Sequence, residues 1–286
     1  MKVLYVVLMM VACLGCHGQT KTKMNDTHTN PLLCDTTTGT CDVPGQTTAG
    51  TNQVIPQGKK PVTIVYYTDP ICSSCWGIEP QLRKLKLEYG AYIDIDYRMG
   101  GLLPDWSYNS GGISKPSDVA HHWDDVSKHY EMPIDGDVWL EDPLDSSYPL
   151  CIAMKAAQIQ DKDKAIKYMR IMRERLYLDK KNMAKWDNLA DAAVAAGLDV
   201  TKLKKDFDAD ARKLFQDDLD YARKLGVRGF PTMFFSDGEG QQLMVYGSKP
   251  FSSYENALLA IYPDAKKNLL TMQTQCPCLP ITQRLR

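Results

Sequence analysis

Cys72-Ser73-Ser74-Cys75 has the spacing in which one thiol can attack a disulfide and a second can close back on it. The attacking species is the thiolate, and an unperturbed cysteine thiol titrates near pH ~8.5. The chemistry therefore needs a device that stabilises a sulfur anion. A helix start supplies one, because its first backbone N–H groups lack partners and the macrodipole favours negative charge. The residues around the pair supply such a start. Val62-Thr63-Ile64-Val65-Tyr66-Tyr67 is a β-branched, aromatic run that reads as a buried strand, and Thr68-Asp69-Pro70-Ile71 reads as a short loop. The segment from Cys72 to Tyr89 then has helical spacing, with a kink expected near Pro80. Cys72 is placed as the attacking thiol and Cys75 as the resolving one. A zinc half-site or a static disulfide is the alternative for such a pair; zinc would want a second pair nearby.

The elements that must hold this pair follow in order. Tyr92 to Met99 alternates apolar and charged residues and reads as a strand ended by Gly100-Gly101, completing a β-α-β unit with an expected right-handed crossover. From about 113 to 225 the pattern is helical. Its apolar faces are Ile166, Met169, Met172 and Leu176, then Ala211, Leu214, Leu219, Ala222 and Leu225, closed by Gly226. Lysines and aspartates through residues 155–224 read as solvated faces. Thr232 to Phe235 and Gln242 to Tyr246 read as strands around an Asp237-Gly238 turn, and Phe251 to Ile261 as a final helix. The fold class expected is α/β: β-α-β then β-β-α, with a helical insertion between the halves.

Gly226-Val227-Arg228-Gly229-Phe230-Pro231-Thr232 precedes the third strand of that domain, and a proline there suits a cis peptide. Asp69-Pro70-x-Cys72-x-x-Cys75-Trp76, Gly100-Gly101-Leu102 and Gly-Val-x-Gly-x-Pro-Thr at 226–232 together resemble the DsbA-like branch of thioredoxin-fold proteins. More narrowly, they are similar to the subgroup of FrnE-type oxidoreductases and adaptor proteins of the ClpXP protease. The resemblance covers about residues 61–262. It implies a cis Phe230–Pro231 bond beside the active-site sulfurs, with the Phe230 backbone pairing an extended substrate as an added strand. It also implies oxidation, reduction or isomerisation of protein disulfides. Strongly oxidising members carry Pro-His between the cysteines, where this chain has Ser73-Ser74. Hydroxyls bring no charge to a thiolate, so a lower reduction potential and a reductase or isomerase role are expected. Trp76, with Trp106 and Tyr66 as further candidates, is expected to line the substrate groove, and Asp69 to accept a proton.

The N-terminus points to export. Lys2 precedes an apolar run from Val3 to Leu14, too short to span a bilayer, and Leu14-Gly15-Cys16 resembles a lipoprotein cleavage box with Cys16 lipidated. Residues 1–16 thus read as a lipoprotein-type signal and 17–60 as a flexible, Thr-, Asn- and Gly-rich tether. Residues 61–262 read as the domain and 263–286 as a tail. The expected location is the periplasm or cell envelope, with exported thiol or disulfide proteins as substrates and a membrane redox partner for recycling. A net charge of −1 with interspersed signs gives no basic stripe for nucleic acid. The chemistry calls for no bound cofactor, since the cysteines carry the electrons.

Cys34 with Cys41, and Cys276 with Cys278, lie in the expected tether and tail. They read as local disulfides, as a relay exchanging with Cys72–Cys75, or as a thiolate metal site. Cys151, in Leu150-Cys151-Ile152, reads as a buried thiol. His121, His122 and His129 read as a solvated helix face, with metal ligation the alternative. Two other functions stay open: a non-enzymatic adaptor on the same fold, and a kappa-like glutathione-dependent transferase or isomerase, against which the intact Cys75 counts.

Overall fold

The computed structural model describes residues 34–35, 40–42, 58, 60–107 and 114–266. Cys16, Cys276 and Cys278 lie outside them, and of Cys34 and Cys41 the backbone alone is described.

Every position of strand β3 (Val62–Thr68) is buried, as an interior strand covered on both faces requires. It pairs in parallel with β4 (Ile93–Met99) and antiparallel with β6 (Thr232–Ser236), which pairs antiparallel with β7 (Gln242–Tyr246). The order β4-β3-β6-β7 is the four-stranded sheet of a thioredoxin fold. β4 keeps the expected alternation, burying Ile93, Tyr97 and Met99. The helical run after Cys72 divides at Ile78 into α1 (Ser73–Gly77) and α2 (Glu79–Tyr89). Pro80, tolerated in a first helical turn where N–H groups are unpartnered, starts the second helix. α10 (Phe251–Ile261) packs against α2, β6 and β7.

The insertion comprises α3 (Pro116–Tyr130), α4 (Val138–Glu141), α5 (Tyr148–Gln160), α6 (Lys162–Tyr177), α7 (Trp186–Ala196), α8 (Val200–Asp208) and α9 (Asp210–Leu225). α3 lies on α1, and α5 and α9 lie on β4. On α9, Phe215 takes the core position expected of Leu214, which is exposed.

Two features depart from the sequence reading. The charges of the insertion are not all solvated. Asp218 is fully buried, accepts from the Met99 N–H at 3.0 Å, and pairs with Arg98 at 2.9 Å and Lys155 at 2.8 Å, tying α9 and α5 to the end of β4. A buried charge persists where partners replace its water, and here three donors do so. The second departure lies in the stretch read as a tether. β1 (Cys34–Asp35) and β2 (Thr40–Asp42) form an antiparallel pair, and β2 adds to β5 (Gly229–Phe230), giving a second sheet in the order β1-β2-β5. The partner edge, and not the apolar content of residues 34–42, supplies this structure.

Candidate functional site

The loop from β3 into α1 carries the pair. Cys72 is the N-cap of α1, and its sulfur accepts the Cys75 backbone N–H at 3.1 Å. A sulfur anion at Cys72 would therefore meet a donor at the helix start, as the chemistry asks. Cys72 and Cys75 form a disulfide, with Cα atoms 5.2 Å apart, and both are fully buried. Ser73 and Ser74 are buried too. The Ser74 hydroxyl lies 3.0 Å from the Tyr130 hydroxyl of α3, an engagement with the insertion that was not expected of it.

The Phe230–Pro231 peptide is cis. Thr232 lies opposite Tyr67, so Pro231 enters the sheet at the end of β3 from which the Cys72 loop departs. Two bonds fix the turn: the Thr232 hydroxyl donates to the Gly229 carbonyl at 2.7 Å, and the Gly247 N–H donates to the Pro231 carbonyl at 2.8 Å. The Phe230 side chain is fully buried. A Cβ at Gly100 would overlap the Phe230 ring, so the first glycine of Gly100-Gly101-Leu102 is there for close approach. The second has φ +67°, a left-handed conformation that side chains rarely take.

That turn aims the Leu102 N–H at Asp69. The Asp69 carboxyl is fully buried and accepts from the Leu102 N–H at 2.7 Å, the Ile71 N–H at 3.0 Å, the Ser147 hydroxyl at 3.0 Å and the Cys151 thiol at 3.3 Å. Burial raises its pKa above the ordinary carboxyl range, against the pull of those donors. Asp69 is thus a clamp on the loop. Its backbone carbonyl accepts the Cys72 N–H at 3.1 Å.

Arg173 of α6 completes the clamp. Its guanidinium is fully buried, donates to Thr68 Oγ1 at 2.7 Å and the Asp69 carbonyl at 3.2 Å, and pairs with Glu79. Burial works most strongly against its charge, but Glu79, Tyr66 and Tyr177 together outweigh burial and raise its pKa above the ordinary range. Arg173, Ser147, Cys151 and Tyr130 were not expected at the site. Their sequence separations from it run from tens of residues to over a hundred, and nothing local marks them. Cys151 is a buried free thiol as expected; burial, then the adjacent Asp69, pushes its pKa well up.

Trp76 does not line an open groove. It is buried, its indole N–H donates to the Pro133 carbonyl at 3.1 Å, and its ring stacks on Tyr177 at 5.5 Å. Tyr177 continues to Trp123, Trp139 and Trp106, an aromatic chain that cements the insertion onto α1. A flat indole beside α1 gains more from this packing than from exposure. Tyr66 is likewise core. His122 is half-buried, and burial pushes its pKa down to about 4 despite Asp125, so it departs from the solvated face while His121 and His129 stay exposed. Among the described residues no cluster of metal-ligating side chains occurs, and no helix is long and apolar enough to cross a membrane.

A family model described as thioredoxin matches residues 66–256. The chain belongs to this thioredoxin family. It is 35% identical over 237 residues to the ClpXP adapter protein SpxH of Halalkalibacterium halodurans, covering 81% of this chain and 76% of that one. To SpxH of Bacillus subtilis it is 31% identical, covering 76% and 73%. The cytosolic disulfide reductase DsbM of Pseudomonas aeruginosa shares the fold, with a TM-score of 0.53 at 22% identity over 74% of this chain and 98% of that one.

Proposed function

We propose that the protein exchanges disulfides with protein substrates, in the reducing or isomerising direction, with Cys72 as nucleophile and Cys75 as resolving thiol. The observation that carries this reading is the Cys72 sulfur at the N-cap of α1, bonded to Cys75 and accepting its backbone N–H, beside a cis Phe230–Pro231 bond. Cys72 thiolate attacks a substrate disulfide, a mixed disulfide forms, and Cys75 attacks the Cys72 sulfur to release the substrate reduced. Asp69 accepts or returns a proton, and the Phe230 backbone holds the substrate strand. Insulin reduction and refolding of scrambled ribonuclease test this, with Cys72→Ser as the control; equal behaviour of the two proteins rejects it.

The substrates in this reading are exported proteins, the chain is lipid-anchored through Cys16 in the cell envelope, and a membrane redox partner recycles it. Lys2, the Val3 to Leu14 run and Leu14-Gly15-Cys16 support that part. Incorporation of labelled palmitate, lost in Cys16→Ser, tests it; equal labelling of both rejects lipidation at Cys16.

A second reading is an adaptor that binds protein partners through the same fold. The 35% identity to a protein named a ClpXP adapter favours it. It predicts partner binding undiminished by Cys72→Ser, whereas the exchange reading predicts that a covalent partner is lost.

A further inference from the structure

β2 occupies the strand position that an exchanging substrate needs. Cys41 lies opposite Phe230 and Asp42 opposite Gly229 in an antiparallel register, on the strand that ends at the cis bond. β2 also lies against α1, which opens at Cys72, and both sulfurs of the pair are shielded from solvent. On the other side of β2, Cys34 is the register partner of Cys41. Directly opposed residues of an antiparallel pair have Cα atoms about 4.5–5.5 Å apart. That lies inside the about 4.4–6.8 Å range that a disulfide spans. A cysteine thus stands at the residue that pairs with Phe230, and a second cysteine stands where it can close on the first.

We propose that Cys34 and Cys41 form a second redox pair, delivered to Cys72–Cys75 by strand addition to β5. The inference rests on the exchange reading above and names its resident partner. With Cys72–Cys75 oxidised and the hairpin reduced, Cys41 thiolate attacks the Cys72 sulfur. The Cys72–Cys75 bond breaks, Cys75 leaves as a thiolate, and a Cys41–Cys72 mixed disulfide forms. Cys34 thiolate then attacks the Cys41 sulfur, forming Cys34–Cys41 and releasing Cys72 as a thiolate. The hairpin loses two electrons and two protons, and the Cys72 and Cys75 thiols gain them. The reverse sequence runs through the same intermediate. An external substrate reaches Phe230 by displacing β2, so hairpin and substrate compete for one edge.

Trapping in the full chain tests this. In Cys34→Ala/Cys75→Ala neither resolving thiol remains, so a disulfide formed between Cys41 and Cys72 cannot be released from either side. The protein is oxidised with glutathione disulfide, quenched in acid, digested and mapped by mass spectrometry. The expected product links Cys72 to Cys41. Cys72 linked to glutathione or added insulin but not to Cys41 overturns the hairpin assignment while the exchange reading stands. A Cys72 that links to nothing overturns both. As a second measurement, reduction of Cys34–Cys41 by reduced glutathione is followed in wild type and Cys72→Ser. Because strand pairing makes the exchange intramolecular, Cys72→Ser is expected to slow it by about tenfold or more; equal rates overturn the inference.

Discussion

Asp69 separates two cysteine environments that differ in almost everything except burial. On one side, its backbone carbonyl takes the Cys72 N–H, and the Cys72 sulfur meets the N–H of Cys75 at a helix start. On the other, its carboxyl takes the Cys151 thiol, inside helix α5 and under the same roof. The first environment offers a donor to a sulfur anion. The second offers a carboxyl oxygen, and with burial it pushes the Cys151 pKa well up. Placement relative to backbone dipoles and one acid, and not exposure, distinguishes the two sulfurs. The clamp built of Asp69, Arg173, Leu102 and Ser147 keeps both placements in register.

Removing the clamp has the largest expected effect. Arg173→Leu leaves Glu79, Thr68 Oγ1 and the Asp69 carbonyl without their buried cation, and stability in urea should fall by about 3–5 kcal/mol. Next comes the reactivity contrast itself. In the reduced native protein at pH 8, iodoacetamide should modify Cys72 about a hundredfold faster than Cys151, because the Cys151 thiolate is scarce. Peptide mapping over time reads this, and comparable rates would break the comparison.

Asp69→Asn turns an acceptor oxygen into a donor among four donors, at a cost of about 1–3 kcal/mol. It also removes a titration. The folded-state pKa of Asp69 is raised by burial, so the native state holds this proton more tightly than the unfolded chain does. Its contribution to stability is present below the unfolded pKa and is lost as pH rises through the folded one. Urea titrations at several pH values should show that fall in wild type and not in Asp69→Asn. The smallest expected effect is on potential: the equilibrium with glutathione should place wild type below the strong-oxidant value of about −120 mV, and Ser73→Pro with Ser74→His should raise it.

Much of the fold is legible in local pattern. Val62 to Tyr67, the alternation at Ile93, Ile95 and Tyr97, and Phe251 to Ile261 announce their elements by period, and Cys72, Cys75 and Pro231 by motif. The clamp is not legible. Arg173, Asp218 and Lys155 look like solvated helix charges, because a sequence shows the charge and not the partner that arrives from a distant strand. Ser147 and Cys151 are silent for the same reason. The burial of Trp76 is not legible either, because adjacency to the redox pair says nothing of the insertion that covers it. The β1–β2 hairpin is written in Thr-rich, polar residues whose strand geometry comes from the free edge of β5.

Turnover of insulin disulfides, followed with wild type, Cys72→Ser and Cys151→Ser under one reductant, tests the central claim most directly. The account predicts that Cys72→Ser falls to the uncatalysed rate while Cys151→Ser keeps the wild-type rate. Wild-type turnover in Cys72→Ser, or its loss in a folded Cys151→Ser, would contradict it.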